Sequence, residues 1–279
     1  MKSNLLIFVL FLASSLTVFG QTIPYGNNKA VGKYVRINGV NLYYEEYGAG
    51  EPLLLIHGNG TGIKGHRPQI DYFSKKYKVI AVDCRGRGKS EMGRDSLTYI
   101  GMADDMAKFI EKMNLDSVNV LGRSDGGIVA LLMGIYYPQH LKKIIAFGAN
   151  MWPDSTALFP ESVADVTRER IRAEEMLAKK DTTKNWYVER QRYRLMEFQP
   201  HITGAELGRI KVPVLVMSCD RDVIREEHTL FIYKHIPNAN LSIFPGEVHK
   251  VSTFNPELFN STVDRFLSRP FKDNSIRFK

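Results

Sequence analysis

Cysteine is scarce in this chain: Cys84 and Cys219 are the only two among 279 residues. Two thiols cannot build the framework of a disulfide-stapled secreted domain. Each follows an apolar run, so two free, partly buried thiols near strand ends are expected. Runs of Lys or Arg longer than two are also missing, and the formal net charge of +8 is therefore dispersed. A dispersed charge gives a solvated basic surface rather than a nucleic-acid or anionic-surface footprint, so no nucleic-acid partner is expected. Internal repeats and low-complexity segments are absent, which sets aside solenoids and linkers. The stretch from Leu5 to Phe19 is apolar, but it is short of the roughly 20 residues that span a bilayer. No cysteine follows it to carry lipid, so no stable membrane anchor is expected. With Lys2 before it and Gly20 after it, the stretch reads as a signal peptide over residues 1–20. Cleavage near Gly20 and export, periplasmic or secreted, follow from that reading.

The chain as a whole has the composition of a soluble globular protein, 44% hydrophobic and 24% charged. Its length suits one domain with an insertion better than two independent domains. Lys33–Ile37 and Asn41–Tyr47 flank Asn38-Gly39, a pair that fits the positive φ angles of a tight hairpin. Four runs then read as central strands: Leu53–Ile56, Val79–Val82, Val118–Leu121 and Ile144–Phe147. Helical patterns separate them, the clearest carrying Leu97, Ile100, Met106, Phe109, Ile110 and Met113 on one face. Strand and helix in alternation predict crossover connections and a mostly parallel sheet. The alternation stops after Asn150, and charged helical stretches occupy Glu161–Lys180 and Lys184–Phe198. It resumes with Val212–Met217, a helix around Glu226–His235, the strand Leu241–Phe244 and a helix near Pro256–Leu267. The expected organisation is an α/β core over 21–150 and 210–279, with a helical insertion over 151–209.

Three motifs compete for the chemistry. Gly60-Thr61-Gly62-Ile63-Lys64-Gly65 matches a dinucleotide fingerprint, with Asp83 placed for a ribose contact. Its first glycine should follow the strand directly, and His57, Gly58 and Asn59 intervene. Gly86-Arg87-Gly88-Lys89-Ser90 resembles the end of a P-loop, but Asp83 stands where the earlier glycine belongs. These glycines instead suit a tight turn anchored by Asp83 and Arg85. No cofactor and no metal is assigned.

The third motif is Gly122-Arg123-Ser124-Asp125-Gly126-Gly127, between an apolar strand and an apolar helix. There the serine is forced into an exposed, strained turn, and the flanking glycines avoid collisions with strand and helix. A serine hydroxyl needs a base, and the base an orienting carboxylate, both from other strand ends on the same sheet edge. His249 is the only histidine shortly after a late strand. Asp220 and Asp222 both lie past the preceding one; Asp222 is far enough along to turn back to His249, while Asp220 suits a turn cap. The backbone N–H groups of Asn59 and Asp125 can form a two-donor oxyanion hole. His57 reads as structural, hydrogen-bonded within its loop.

Taken in order, His57-Gly58-Asn59-Gly60, Asp83–Ser90, the Ser124 turn, Asp222 and His249 resemble the α/β-hydrolase fold family over nearly all of residues 30–268. The resemblance implies an eight-stranded, mostly parallel sheet with a helical cap between strands six and seven. It also implies a catalytic triad, Ser124 as nucleophile, His249 as base then acid, and Asp222 as orienting carboxylate. Epoxide hydrolases and haloalkane dehalogenases in the family carry an aspartate at the turn, so Ser124 argues against both. Leu121–Ile128, with Trp152 soon after Gly148-Ala149-Asn150, is similar to valacyclovirase-like amino-acid-ester hydrolases. That likeness implies that Asp125 binds a substrate ammonium group. Arg123 stands where those enzymes carry tryptophan, and it could neutralise Asp125. Trp152, Phe159, Trp186 and Tyr187 are the aromatic candidates for the pocket, with Trp152 as the substrate-binding residue, although at helical spacing such residues are more often plain cap core. The expected function is a serine hydrolase of small carboxylic esters acting on a small-molecule substrate. Lactone, thioester, amide or carbon–carbon hydrolysis stays open, as does a non-catalytic receptor. The oligomeric state is not legible.

Overall fold

The computed structural model describes residues 23–93 and 96–272, so the expected signal peptide lies outside the described residues. The strands are β1 (Gly32–Ile37), β2 (Val40–Tyr47), β3 (Glu51–Ile56), β4 (Tyr77–Val82), β5 (Val118–Arg123), β6 (Leu141–Phe147), β7 (Val214–Arg221) and β8 (Ala239–Val248). They form one eight-stranded sheet in the order β1-β2-β4-β3-β5-β6-β7-β8. The β1–β2 and β2–β4 pairs are antiparallel. The remaining pairs are parallel, as the alternation of strand and helix predicts. The β1–β2 turn holds Asn38 and Gly39 at φ 46° and 78°, the pair of positive angles that makes Asn-Gly favourable there.

Helices cover both faces: α1 (Arg67–Phe73), α2 (Tyr99–Lys112), α3 (Asp125–Tyr136), α4 (Pro160–Ala178), α5 (Trp186–Phe198), α6 (Gly204–Leu207), α7 (Glu226–His235), α8 (Val251–Phe254) and α9 (Pro256–Ser268). The unbroken apolar run in β3 follows from this double cover. Leu53 and Leu55 point to a cluster with Phe73 of α1 and Phe259 of α9. Leu54 and Ile56 point the other way, to Phe109 of α2 and Ile128 of α3. Both cysteines are buried and unbonded to each other. They follow or lie in β4 and β7, which are not neighbours in the sheet.

Helices α4 and α5 fall between β6 and β7 in sequence and pack on each other as a cap. Their charged appearance has a simple cause. Ala173 is the only buried residue of α4, and α5 buries only Trp186, Gln191 and Leu195. The two legs of this insertion are joined where the Ile202 N–H donates to the Met151 carbonyl at 2.8 Å. The short helix α6, closed by a capping box between Thr203 and Glu206, lays Leu207 into the core cluster beside α3. Parallel strands have their C-terminal ends on one edge. That edge therefore gathers Gly58-Asn59 after β3, Ser124 after β5, Gly148 after β6, Asp222 after β7 and His249 after β8.

Candidate active site

The turn between β5 and α3 is as tight as its glycines suggest. A Cβ on Gly122 would run into the Gly126 carbonyl, and one on Gly126 into the Ile56 carbonyl. Ser124 sits at φ 54°, ψ −121°, a conformation that costs a non-glycine residue about 1–3 kcal/mol. Its N–H donates to the Phe147 carbonyl of β6 at 2.7 Å, and its own carbonyl accepts from Gly127 at the same distance. These bonds hold the strained residue at the head of α3. Among the described residues the N–H groups of Asp125 and Asn59 have no hydrogen-bond partner, and both residues line the cavity that Ser124 faces.

His249 and Asp222 come together across the ends of β7 and β8. Nδ1–H of His249 donates to Asp222 Oδ1 at 2.6 Å. The Asp222 side chain is fully buried, and it also accepts from Ser218 Oγ at 3.3 Å and the Ile224 N–H at 3.3 Å. With Nδ1 engaged as donor, Nε2 is left as the acceptor of the ring. The imidazole stacks on the Phe147 ring at 5.8 Å between centroids, and it lines the same cavity as Ser124. Asp220 does different work: both its carboxylate oxygens accept the Gly246 N–H at 2.8 Å, bracing the turn before His249. The separation has a local cause. Strand β7 continues to Arg221, so Asp220 is still in the strand and Asp222 is the first residue free to turn inward.

The two weaker motifs resolve as turns. Asp83 accepts from the Ile63 and Lys89 N–H groups at 2.8 and 2.9 Å, and Arg85 is forked onto Asp105 at 2.8 Å. His57 is internal to its loop, donating from Nδ1 to the Gly58 carbonyl at 2.8 Å and accepting the Cys84 N–H on Nε2 at 3.0 Å. Burial pushes its pKa down to about 3, so it stays neutral.

Residues 51–169 match the family described as alpha/beta hydrolase fold. The human serine hydrolase BPHL is 29% identical over 89% of this chain and 90% of its own length. A 2-hydroxy-6-oxononadienedioate/2-hydroxy-6-oxononatrienedioate hydrolase of Burkholderia vietnamiensis is 27% identical, over 86% of this chain and 96% of its own. Among solved structures, a thermophilic esterase from Thermogutta terrifontis superposes with a TM-score of 0.68 at 24% identity, covering 85% of this chain and 98% of that one. This is the α/β-hydrolase fold.

On this fold the cavity above Ser124 encloses about 340 Å³. Its cap side sets aliphatic Leu158, Val163, Val166 and Met196 beside polar Ser162, Asp165 and Glu197, with Val223 and Ile224 from the loop after β7. Trp152 is not where the sequence reading put it. It packs edge-on against His228 and Phe231 at 4.5 and 4.8 Å between centroids, and its indole N–H donates to Thr156. The cause is its neighbour: the Met151 N–H is fixed on His228 Nε2 at 2.8 Å, which pins this leg of the insertion to α7. Phe159, Trp186 and Tyr187 are likewise not among the cavity walls.

The charges around Asp125 also differ from expectation. Arg123 does not reach it. From Nη1 it donates to Ser252 Oγ, Thr253 Oγ1 and the Gly65 carbonyl at 3.1, 3.4 and 3.5 Å. Asp125 is 4% exposed, and its Oδ2 is buried with no hydrogen-bond partner among the described residues. Burial raises its pKa, against the pull of Arg87 and Arg192 and a hydrogen bond from Tyr99. Burial in turn lowers Arg87 to about 10, and the nearby Arg192 adds to the effect. Arg192 comes from the cap: its Nε donates to Asn59 Oδ1 at 2.8 Å and its Nη1 to Glu189 at 2.6 Å. Nothing in the sequence marks Arg87 or Arg192, one in a glycine turn and the other on a charged helix. Gly148 was also missed, although its position after β6 on the active edge was a signal.

Proposed function

We propose that this chain is a serine hydrolase of small carboxylic esters that works through an acyl-enzyme. The observation that carries the reading is the 2.6 Å contact between His249 Nδ1 and Asp222 Oδ1, in a cavity shared with the strained Ser124. Ser124 Oγ attacks the ester carbonyl carbon while its proton passes to His249 Nε2. The N–H groups of Asn59 and Asp125 hold the oxyanion that forms. The C–O bond to the alcohol then breaks, and the imidazolium gives its proton to the departing oxygen. Water, deprotonated by His249, attacks the acyl carbon and releases the acid and free Ser124. Asp222 keeps the imidazole in the tautomer these steps need. A fluorophosphonate probe should label wild type and not Ser124→Ala. Wild type that is neither labelled nor able to cleave an activated short-chain ester leaves a binding protein on the same fold.

The partnerless Oδ2 of Asp125 supports a second element, a preference for esters that bear a nearby amine. A carboxylate there pairs with an ammonium group and repels anions near it. Equal kcat/KM values for an aminoacyl ester and its desamino analogue sink that element. A relative's name points to carbon–carbon hydrolysis of an oxo-dienedioate, and a panel with that bond class beside esters decides between them. Export after cleavage near Gly20 belongs to the same proposal, and the N-terminal sequence of the mature protein checks it.

A further inference from the structure

We infer that Arg123 is the anion receptor of this site, and that the substrate carries a carboxylate besides the bond that is cleaved. The inference rests on the hydrolase reading for its reaction, but its binding half can be tested without it. Arg123 is the last residue of β5, immediately before Ser124, and it lines the same cavity. Its three hydrogen bonds all leave from Nη1, and all go to neutral oxygens. Among the described residues no carboxylate lies within ion-pair distance of it, and Nε and Nη2 have no protein partner. Arg123 is half-buried, and a partly desolvated guanidinium with free donors and no counter-charge attracts an anion strongly. Burial accordingly lowers the Arg123 pKa, with no acid acting to offset the effect.

The other charges at the cavity do not supply the missing partner. Asp165 is paired with Arg168 at 2.5 Å, and Glu197 is held by Arg170 and Thr167. Asp125 faces Arg87, Arg192 and Tyr99. Lys250, the residue after His249, lines the cavity too and has no ion pair among the described residues. The wall from Arg123 to Lys250 is therefore cationic, and it adjoins the nucleophile. A planar guanidinium fork with donors to spare matches a carboxylate. A purely bracing role for Arg123, tying Gly65 to the Ser252-Thr253 turn, predicts no discrimination between charged and neutral substrates.

Two pairs of esters test this and distinguish the acyl from the alcohol side. One is monomethyl adipate against methyl adipamate; the other is 4-acetoxybutyrate against its amide. In at least one pair wild type should favour the carboxylate on the order of 10- to 100-fold in kcat/KM. Arg123→Met should abolish that ratio, and Arg123→Lys should keep part of it. Equal rates within both wild-type pairs overturn the inference, as does a ratio unchanged in Arg123→Met. The wild-type comparison needs no variant, so it decides even where Arg123→Met does not fold. Adipate binding to Ser124→Ala, measured by calorimetry, reads the same site without catalysis. It should weaken about tenfold or more when Arg123→Met is added, and binding that is absent or indifferent to Arg123 counts against the inference. If adipate binds through Arg123 while no ester is cleaved, the hydrolase reading fails and the receptor stands.

Discussion

The imidazole of His249 lies against Gly148, so closely that a Cβ there would come within 2.6 Å of Cε1 and 2.9 Å of Nδ1. Gly148 is at φ 61°, where a side chain is strained in any case. Phe147, just before it, supplies the carbonyl for the Ser124 N–H and the ring under His249. The end of β6 therefore sets the position of both groups. Gly148→Ala should displace the imidazole and lower kcat by about 10²-fold. Esterase kinetics with a thermal melt separate this from unfolding; a folded variant with unchanged kcat contradicts the account.

Asp220 and Asp222 are two residues apart, and their alanine variants should behave very differently. Asp222→Ala removes the carboxylate on His249 Nδ1 and should cost about 10⁴-fold in kcat. Asp220→Ala releases the Gly246 N–H at the surface. It should cost less than about tenfold, since Asp220 touches neither the imidazole nor the cavity. The same ester assay on both proteins ranks them, and a reversed order identifies the wrong acid.

Arg192 reaches from the cap to Asn59 Oδ1 at 2.8 Å, so the cap helps place the loop that carries one of the two proposed oxyanion donors. Losing such a donor outright costs about 10²–10³-fold in kcat. Arg192→Met only loosens it, and a loss on the order of tenfold in kcat, with KM little changed, is expected. A loss confined to KM assigns Arg192 to substrate binding instead.

Acid should destabilise the fold through its buried histidines. Burial holds His228 down at about 4 and His57 at about 3, both below the ordinary value of 6.5. Between 6.5 and those values the unfolded chain binds more protons than the folded one, so stability falls as pH falls through that window. Urea titrations at pH 7, 6, 5 and 4 measure the slope. His228→Gln keeps an acceptor for the Met151 N–H and should lower proton uptake on unfolding by about one. An unchanged slope means that His228 is charged in the folded protein.

Much of this was legible because the relevant signals are local. Asn38-Gly39 dictates its turn whatever surrounds it, and the Gly-Ser-Gly spacing dictates the strained turn at Ser124. The order of Ser124, Asp222 and His249 follows from parallel strands sharing one edge. Where two helices meet through few buried residues, the sequence says little. Ala173 alone is buried in α4, so periodicity could not show which faces of the cap look down on the cavity. The sequence offers the cap aromatics either as pocket candidates or as plain cap core, whereas Val163, Val166 and Met196 line the cavity. Trp152 was misplaced because the bond that turns it away joins Met151 to His228, far apart in the chain. That Arg123 could neutralise Asp125 is open from the sequence, yet at the strained turn the two side chains diverge.

The hydrogen bond between Ile202 and Met151 has a consequence for how such a protein can change. The insertion leaves and re-enters the core where these two residues meet, and no sheet strand is threaded through it. A different insertion can be grafted there without altering the order or register of any strand. The transplant would bring new walls and a new substrate range. It would have to bring, too, some replacement for Arg192, because one of the screws that fixes the chemistry is carried by the exchangeable part.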